Sequence, residues 1–363
     1  MTADRRPRVL FVGLSAAGHG GIQSFNRRVI AALEQLDVPA TVLMLADAET
    51  NGEVSGFGGG KLSLSETVFL RSAGAEVLLL GHINLLPFAL LYRLRHPRGR
   101  VIMFAHGIEV WGDPDYRAAR RWEPALLRRV VDRIAIVSRY SRDRMARAFG
   151  LEADRFTLFP NAVDVRPLVS SEPTASTILA VSRLGAGERE KHVDKLIRAL
   201  PSVISAIPDA RLVVIGEGQL RGQLQELAVA LEVSAHVALP GAVSREALDR
   251  AYAEASVFAL PSAKEGFGIV YLEAWTTGLP VIGANRGAAA EVIEDGVDGF
   301  TIDPEDVPAL ANALIALLGD RARAAAMGAA GRAKVERLYS GEAFVANLGA
   351  LLTDVARDRR TLR

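Results

Sequence analysis

The sequence lacks cysteine and is poor in aromatic residues, and both features limit what the protein can be. Its 363 residues include no cysteine, so disulfides, thiolate metal ligands and cysteine nucleophiles are excluded. This absence suits a reducing compartment and predicts a cytoplasmic location. Aromatic residues make up 6% of the chain, and no interleaved basic and aromatic platform predicts nucleic-acid binding.

Long apolar runs are also missing. The longest, residues 77–92, is interrupted by His82, Asn84 and Pro87, and it is shorter than the roughly 20 residues of a membrane-spanning helix. The run after the basic N-terminus is about five residues long, too short for a signal peptide. The sequence therefore predicts neither a transmembrane segment nor a secretory signal.

What is present is the pattern of a two-domain α/β protein, since 363 residues exceed the usual size of one core. Short Val/Ile/Leu runs alternate with amphipathic stretches and lie at 8–13, 40–45, 76–81, 100–105, 133–138, 156–160, 176–182, 211–216, 236–239, 256–261, 280–283 and 299–302. Such runs, without polar alternation, suit strands covered on both faces, and their spacing predicts doubly wound parallel sheets.

The segment 160–176 gathers prolines and hydroxyl residues without helical periodicity and is the best linker candidate. It predicts Rossmann-like domains over residues 1–168 and 169–342. A helix at about 343–363 can pack on either one, and packing back on the first domain is one expectation. Segment 51–62 is predicted to be a flexible Gly-rich loop. Ligands of open parallel sheets bind beyond the carboxyl ends of the strands, so a cleft between the domains is expected.

Three glycines, Gly18, Gly20 and Gly21, lie in the first strand–helix turn. They would let the backbone approach a phosphate or a sugar at a helix N-terminus. Their spacing matches neither a Walker A loop nor G-x-G-x-x-G. A tight turn of the fold explains them as well, because glycine tolerates strained backbone conformations.

Two cations occupy comparable positions in the second half of the chain. Arg183 comes directly after a predicted strand, and Lys191 stands at the entrance of the next predicted helix. Both are therefore candidates for contact with an anionic ligand. The alternative is that both are solvated surface residues, as most Arg and Lys are.

Two glutamates bracket the sequence from Gly266 to Leu272. Glu265 precedes a predicted helix, whereas Glu273 lies two turns inside it among apolar residues. A buried carboxylate needs compensation. An internal Arg or Lys would provide it, and so would the two hydroxyls of a ribose through charge-assisted hydrogen bonds. The intervening amides at the helix start form a candidate anion site.

Residues 265–273, E-G-F-G-I-V-Y-L-E, resemble the E-x7-E motif of family 4 glycosyltransferases, which are retaining enzymes of the GT-B fold. Further segments resemble family landmarks in order and spacing, so that the likeness spans almost the whole chain: 20–22, 106–111, 160–164, 181–184, 215–218, 239–243, 259–268 and 278–300. One departure is His192, which follows Lys191 where the family commonly has glycine.

The resemblance implies roles for individual residues. On the donor side it places Glu273 on the ribose and Glu265 on the hydroxyls of the sugar, and it puts Arg183 and Lys191 on the diphosphate. The remaining donor-binding residues are Gly20, Gly21 and, through their backbone, Gly266, Phe267, Gly268 and Ile269. It puts His106 beside the donor sugar and the acceptor, where it orients groups. The weaker acceptor-side candidates are His19, Glu109 and Trp111.

The reaction implied is transfer of a sugar from UDP or GDP to a hydroxyl of a glycan, a lipid-linked acceptor or a small molecule, with retention. The departing phosphate oxygen helps to deprotonate the acceptor. No cofactor and no metal are expected, and residues 113–115 resemble a D-x-D metal motif only superficially. The alternatives are a nucleotide-sugar 2-epimerase of the same fold and a non-catalytic nucleotide-sugar-binding subunit. Nothing indicates the oligomeric state.

Arginines are concentrated in residues 92–100 and 117–133. A solvated face is one explanation. The other is contact with anionic lipid, worth roughly 1 kcal/mol per well-placed cation, which would suit a lipid-linked acceptor and a peripheral location at the inner face of the membrane.

Overall fold

The computed structural model describes residues 6–18, 20–48, 54–107, 109, 120–165 and 176–357. The chain forms two compact units. The first comprises Met1–Asn161 together with Gly341–Arg363, and the second is Ala162–Ser340.

The first unit is built on a parallel sheet of seven strands within the described residues, in the order β3-β2-β1-β4-β5-β6-β7. The strands are β1 Val9–Gly13, β2 Ala40–Met44, β3 Val54–Gly56, β4 Val77–Leu80, β5 Arg100–Ala105, β6 Arg133–Ile136 and β7 Phe156–Leu158. Its helices are α1 Gly21–Gln35, α2 Lys61–Ser72, α3 Leu86–Arg95, α4 Glu123–Val130, α5 Arg139–Phe149 and, from the end of the chain, α13 Gly341–Arg357.

The second unit repeats this plan with a parallel sheet of six strands in the order β10-β9-β8-β11-β12-β13. The strands are β8 Thr177–Val181, β9 Arg211–Ile215, β10 Val237–Gly241, β11 Val257–Ala259, β12 Val281–Ala284 and β13 Gly299–Ile302. The helices are α6 Val193–Ala206, α7 Leu220–Ala230, α8 Arg245–Glu254, α9 Ile269–Thr276, α10 Ala289–Val292, α11 Val307–Gly319 and α12 Arg321–Leu338.

The apolar runs became central strands because both faces of each sheet are covered. In β1, Leu10, Phe11 and Val12 have no measurable exposure, and the same holds for Val257 and Phe258 in β11. The prediction of two doubly wound parallel-sheet domains is thereby confirmed. The prediction of a flexible loop over 51–62 is wrong at 54–56, where Val54–Gly56 adds to the sheet edge beside β2, and from Lys61, which begins α2. Residues 51–53 lie outside the described residues.

Helix α13 packs on α1 of the first unit. The contact is aromatic: the ring of Phe344 lies 5.5 Å from that of Phe25 and 4.9 Å from that of Phe159, measured between centroids. Phe104 of β5 completes the cluster at 5.0 Å from Phe25. Edge-to-face pairs of this kind add stability beyond the area they bury, which explains why the last helix returns to the first unit.

Candidate functional site

In the second unit, Lys191 and Glu265 meet at the carboxyl ends of two neighbouring strands. Lys191 ends a 3₁₀ turn over Ala186–Lys191 after β8, and Glu265 follows β11, which pairs with β8. The Lys191 ammonium donates to Glu265 Oε1 at 2.6 Å and to the carbonyl of Lys264 at 3.2 Å. Each side chain of the pair is 13% exposed. A charge-assisted hydrogen bond in so sheltered a place is strong.

The backbone holds the two loops together. The amide of Ala263 donates to the carbonyl of Glu190 at 2.9 Å. His192 then takes a left-handed conformation with φ 54°, which glycine adopts without penalty and other residues rarely adopt. The loop therefore keeps the backbone turn for which the family commonly uses glycine, and the departure at His192 does not displace Lys191 from Glu265.

Arg183 follows β8, and its guanidinium lies 2.8 Å from Glu188 Oε1. The two side chains differ greatly in exposure, 71% for Arg183 and 5% for Glu188. Glu188 belongs to the 3₁₀ turn that ends at Lys191, and its other oxygen, Oε2, is buried without a hydrogen-bond partner among the described residues. Glu188 is not predicted as a site residue, since nothing in the sequence spacing singles it out from the neighbouring charges.

Glu273 lies in α9 with its side chain 21% exposed. Its Oε2 accepts a hydrogen bond of 3.1 Å from the hydroxyl of Tyr252, and its Oε1 lies 3.6 Å from Arg245 Nη1. Burial raises the pKa of Glu273, and Arg245 and the Tyr252 hydrogen bond offset this only in part. Arg245 is thus the internal cation that one of the two explanations for a buried Glu273 requires. Its distance of 3.6 Å from Oε1 is, however, too long for a strong hydrogen bond.

The turn before α9 is shaped by glycine. Gly268 has φ 88°, and a Cβ there would lie 2.5 Å from the ring of Tyr271. Ile269 begins α9, and Phe267 is buried against Tyr339 with ring centroids 5.5 Å apart. In the first turn of α9 the Tyr271 amide donates to the Gly268 carbonyl at 3.0 Å, and the amides before it, at Ile269 and Val270, stand where a helix offers no intrahelical acceptor. Together with the helix dipole they suit an anion at this end.

In the first unit, His106 follows β5 and has a defined tautomer. Its Nε2 lies 2.9 Å from the carbonyl of Gly81, and a carbonyl can only accept, so Nε2 carries the proton. In the neutral ring, Nδ1 then holds the lone pair. The His106 amide donates to both carboxylate oxygens of Glu109 at 3.0 Å, so Glu109 fixes the backbone of this turn.

A second histidine, which stands out in the sequence only as an interruption of an apolar run, stacks near His106. The His82 ring is 6.3 Å from that of His106 and 15° from parallel. His82 follows β4, the neighbour of β5, and its Nδ1 accepts a hydrogen bond from the amide of Asn84. The one feature of the sequence that could have indicated His82 is its position directly after a predicted strand.

The first strand–helix turn is tied to the end of β2. Asp47 accepts hydrogen bonds from the Ser15 hydroxyl and the amides of Ala16 and Ala17. Those two amides are therefore satisfied internally. Gly20 has φ 148°, and Gly21 begins α1 with open space where a Cβ would stand. His19 and Trp111 lie outside the described residues, as does the D-x-D sequence at 113–115.

Among the described residues, no group of three or more His, Asp or Glu is arranged to hold a metal ion. Across the same ranges, no helix combines the length and apolar character needed to cross a bilayer.

Sequence comparison connects each unit with a known family. The profile described as "Glycosyltransferase Family 4" matches residues 19–166, and the profile described as "Glycosyl transferases group 1" matches residues 170–334.

Two curated relatives carry similar names. The GDP-mannose-dependent alpha-(1-6)-phosphatidylinositol monomannoside mannosyltransferase of Mycolicibacterium smegmatis is 38% identical over 68% of this chain and 68% of its own. The GDP-mannose-dependent monoacylated alpha-(1-6)-phosphatidylinositol monomannoside mannosyltransferase of Corynebacterium glutamicum is 31% identical over 93% of this chain and 94% of its own.

Solved structures agree on the fold. Sucrose-phosphate synthase from Thermosynechococcus elongatus superposes with a TM-score of 0.77 at 19% identity, over 97% of this chain and 100% of that one. Anabaena HepE in complex with UDP-glucose gives 0.76 at 19% identity, over 96% and 100%. Both support the GT-B architecture. The chain therefore belongs to glycosyltransferase family 4 and has the GT-B fold.

Proposed function

We propose that the protein is a retaining, metal-independent mannosyltransferase that uses GDP-mannose as donor and a hydroxyl of an inositol phospholipid mannoside as acceptor. The support for this donor and acceptor is the similar names of the relatives, both GDP-mannose-dependent, one of which is 31% identical over 93% of the chain. The observation that carries the donor site is the Lys191–Glu265 pair at 2.6 Å beside the start of α9.

The pyrophosphate is assigned to the turn at Gly266–Ile269. The α9 amides and dipole offer partial positive charge there, and Lys191 lies next to Glu265 in the adjoining loop. Arg183, which is 71% exposed, is the second cation. These groups would stabilise the negative charge that develops on the leaving diphosphate, as a metal ion does in other enzymes. Glu273 would accept hydrogen bonds from the ribose hydroxyls.

The transfer step breaks the bond from the sugar anomeric carbon to the β-phosphate oxygen and forms the bond to the acceptor oxygen on the same face. The acceptor proton passes to the departing phosphate oxygen, so no protein base is needed. Glu265, already bonded to Lys191, would accept from donor-sugar hydroxyls. His106 would accept a sugar hydroxyl at Nδ1, because its Nε2 donates to Gly81.

A lipid acceptor requires access to a bilayer surface, and we assign this contact to α2 and α3, which pack together. Three of their leucines are unusually exposed: Leu62 88%, Leu70 64% and Leu94 68%. Lys61, Arg71 and Arg95 lie on the same two helices. Exposed apolar side chains flanked by cations favour anionic interfaces.

Two arginines of the segments 92–100 and 117–133, Arg93 and Arg128, are engaged within the first unit. Arg93 bonds to Asp132 and to the Gly99 carbonyl, and Arg128 bonds to the Phe149 carbonyl. Such side chains stabilise the first unit and are not available for lipid.

The decisive experiment is a donor screen by thermal shift, followed by product analysis. A bound donor stabilises the fold by RT ln(1 + [L]/Kd), so GDP-mannose should raise Tm more than UDP-glucose or GDP-glucose at equal concentration. With a phosphatidylinositol monomannoside acceptor, we expect an α-linked product and full activity in EDTA. A β-linked product would contradict retention. Conversion of the donor sugar without acceptor would instead indicate the epimerase.

A further inference from the structure

Helix α8 presents three polar side chains to Glu273. Arg245, Asp249 and Tyr252 are spaced four and three residues apart, so they lie on one face of the helix. Arg245 contacts both acids, with Nε 3.0 Å from Asp249 Oδ1 and Nη1 3.6 Å from Glu273 Oε1. The Glu273 carboxylate is thus surrounded by a cation, an anion and a phenol from the same element.

Tyr252 makes the shorter contact of the two that reach Glu273 from α8. Its hydroxyl donates to Oε2 at 3.1 Å, and the side chain is 1% exposed. Burial and the neighbouring Glu273 charge raise the pKa of Tyr252 well above its ordinary value of 10.0. The phenol is therefore protonated at neutral pH and can donate this hydrogen bond.

Arg245 does not lock the carboxylate. It is 49% exposed and divided between Asp249 and Glu273, and solvent weakens an ion pair at such a site. Other charged groups near α9 have their own partners. On α12, Arg332 reaches the Thr276 carbonyl and Lys334 pairs with Asp298. Glu265, in the loop before α9, pairs with Lys191.

We propose that Tyr252 is a positioning residue for the nucleotide. It holds Glu273 Oε2 and so directs Oε1 toward a ligand that offers two adjacent hydroxyls, the ribose of a nucleoside diphosphate. Arg245 and Asp249 balance the charge around it without occupying Oε1 at hydrogen-bond distance. This inference rests on the proposed function, which places the donor ribose at Glu273.

Two consequences separate this role from simple packing. Removal of the Tyr252 hydroxyl leaves the ring in place but frees Oε2, so the carboxylate loses its orientation. It also removes a hydrogen bond that favours the charged carboxylate, so the pKa of Glu273 rises further. Nucleotide affinity should therefore fall, and fall more at mildly acidic pH, whereas turnover at saturating donor should change little.

The experiment compares Tyr252→Phe with the wild-type chain by calorimetric titration of GDP and 2′-deoxy-GDP. Hydrogen bonds to charged groups are worth enough that we expect about a tenfold rise in Kd for GDP, with a clearly smaller rise for 2′-deoxy-GDP. The donor KM should rise with kcat nearly unchanged. Tyr92→Phe is the matched control, because Tyr92 is also fully buried and donates to a backbone carbonyl, that of Ala75, at 3.2 Å.

Equal loss of affinity for both nucleotides, or none, would overturn the positioning role while the proposed function stands. If the wild-type chain bound no nucleoside diphosphate, the proposed function would fail and the ribose assignment with it. The Glu273 pKa, measured by carboxyl ¹³C NMR with Glu273→Gln for assignment, tests the structural part separately. It must rise in Tyr252→Phe and stay constant in Tyr92→Phe, and an unchanged value refutes the contact.

Discussion

Lys191 and Glu265 form an ion pair with 2.6 Å between Nζ and Oε1, although they are 74 positions apart in the chain and each side chain is only 13% exposed. At so sheltered a site, each charge compensates for the water that the other has lost. Removal of one leaves the other uncompensated.

Lys191→Ala should lower kcat/KM for GDP-mannose by about 10²–10³, the range found when a charge-stabilising group is lost from an active site. The control is Lys195→Ala, because Lys195 pairs with the half-exposed Glu305. The measurement is kcat/KM for GDP-mannose in the two variants by steady-state kinetics. Comparable losses in both would contradict a specific role for Lys191.

Glu273→Gln should stabilise the ligand-free protein at neutral pH. Burial holds the pKa of Glu273 above its ordinary value of 4.5, so the folded state binds a proton more tightly than the unfolded chain does. The contribution of this group to stability is complete below the ordinary pKa and is lost as pH rises through the folded pKa.

Thermal unfolding of both proteins from about pH 4 to about pH 8 tests this linkage. The Tm advantage of Glu273→Gln should shrink as pH falls. An advantage that does not vary with pH would show that the effect comes from packing. Binding of GDP should weaken in the same variant at every pH.

His106→Gln should reduce turnover without unfolding the first unit. A glutamine amide can still donate to the Gly81 carbonyl, which His106 Nε2 contacts at 2.9 Å, but it offers no acceptor at the position of Nδ1. We expect kcat to fall about tenfold or more, on the scale of a hydrogen bond lost from a buried polar pair. Circular dichroism melts should stay close to wild type, and unchanged kcat would remove His106 from the reaction.

Gly268→Ala should destabilise the fold and abolish donor binding. The substitution forces a side chain into φ 88° and against the Tyr271 ring, at a cost of about 1–3 kcal/mol. Gly222→Ala is the matched control, since Gly222 is an exposed residue of α7 with open space around its Cβ position. There alanine should stabilise the helix by up to about 1 kcal/mol. Urea unfolding measures the free energy of unfolding of both variants, which should fall in Gly268→Ala and rise in Gly222→Ala.

Leu70→Glu should weaken co-sedimentation with vesicles that contain anionic phosphatidylinositol, because it places a like charge at the proposed lipid contact. Val229→Glu is the control, for Val229 is 65% exposed, close to the 64% of Leu70, but lies on α7 of the second unit. Equal binding by both variants and the wild-type chain would place the lipid contact elsewhere.

The sequence predicts the sheets better than the contacts of the site. Central strands such as β1 and β11 are recognisable because they are buried on both faces and therefore apolar throughout. The edge strand Val54–Gly56 is three residues long and half-buried, so its composition does not distinguish it from a loop.

The site residues that the sequence does not predict are defined by contacts that depend on the fold. Tyr252 meets Glu273 from a different helix, and Glu188 meets Arg183 through the fold of a 3₁₀ turn. Periodicity reports which face of a helix is apolar, but it carries no information on which polar groups become neighbours in space. The motif from Glu265 to Glu273 was visible because its chemistry is local in sequence.

The aromatic contact between α1 and α13 has a consequence for biosynthesis. The second unit is one continuous stretch, Ala162–Ser340, inserted between the two parts of the first. Its two ends are hydrogen-bonded to each other, because the Val163 amide donates to the Tyr339 carbonyl at 2.8 Å. On the ribosome the inserted unit can finish folding first, whereas its host must wait for Phe344 to emerge. A nascent chain truncated before Phe344 would leave the apolar surface of α1 exposed to chaperones.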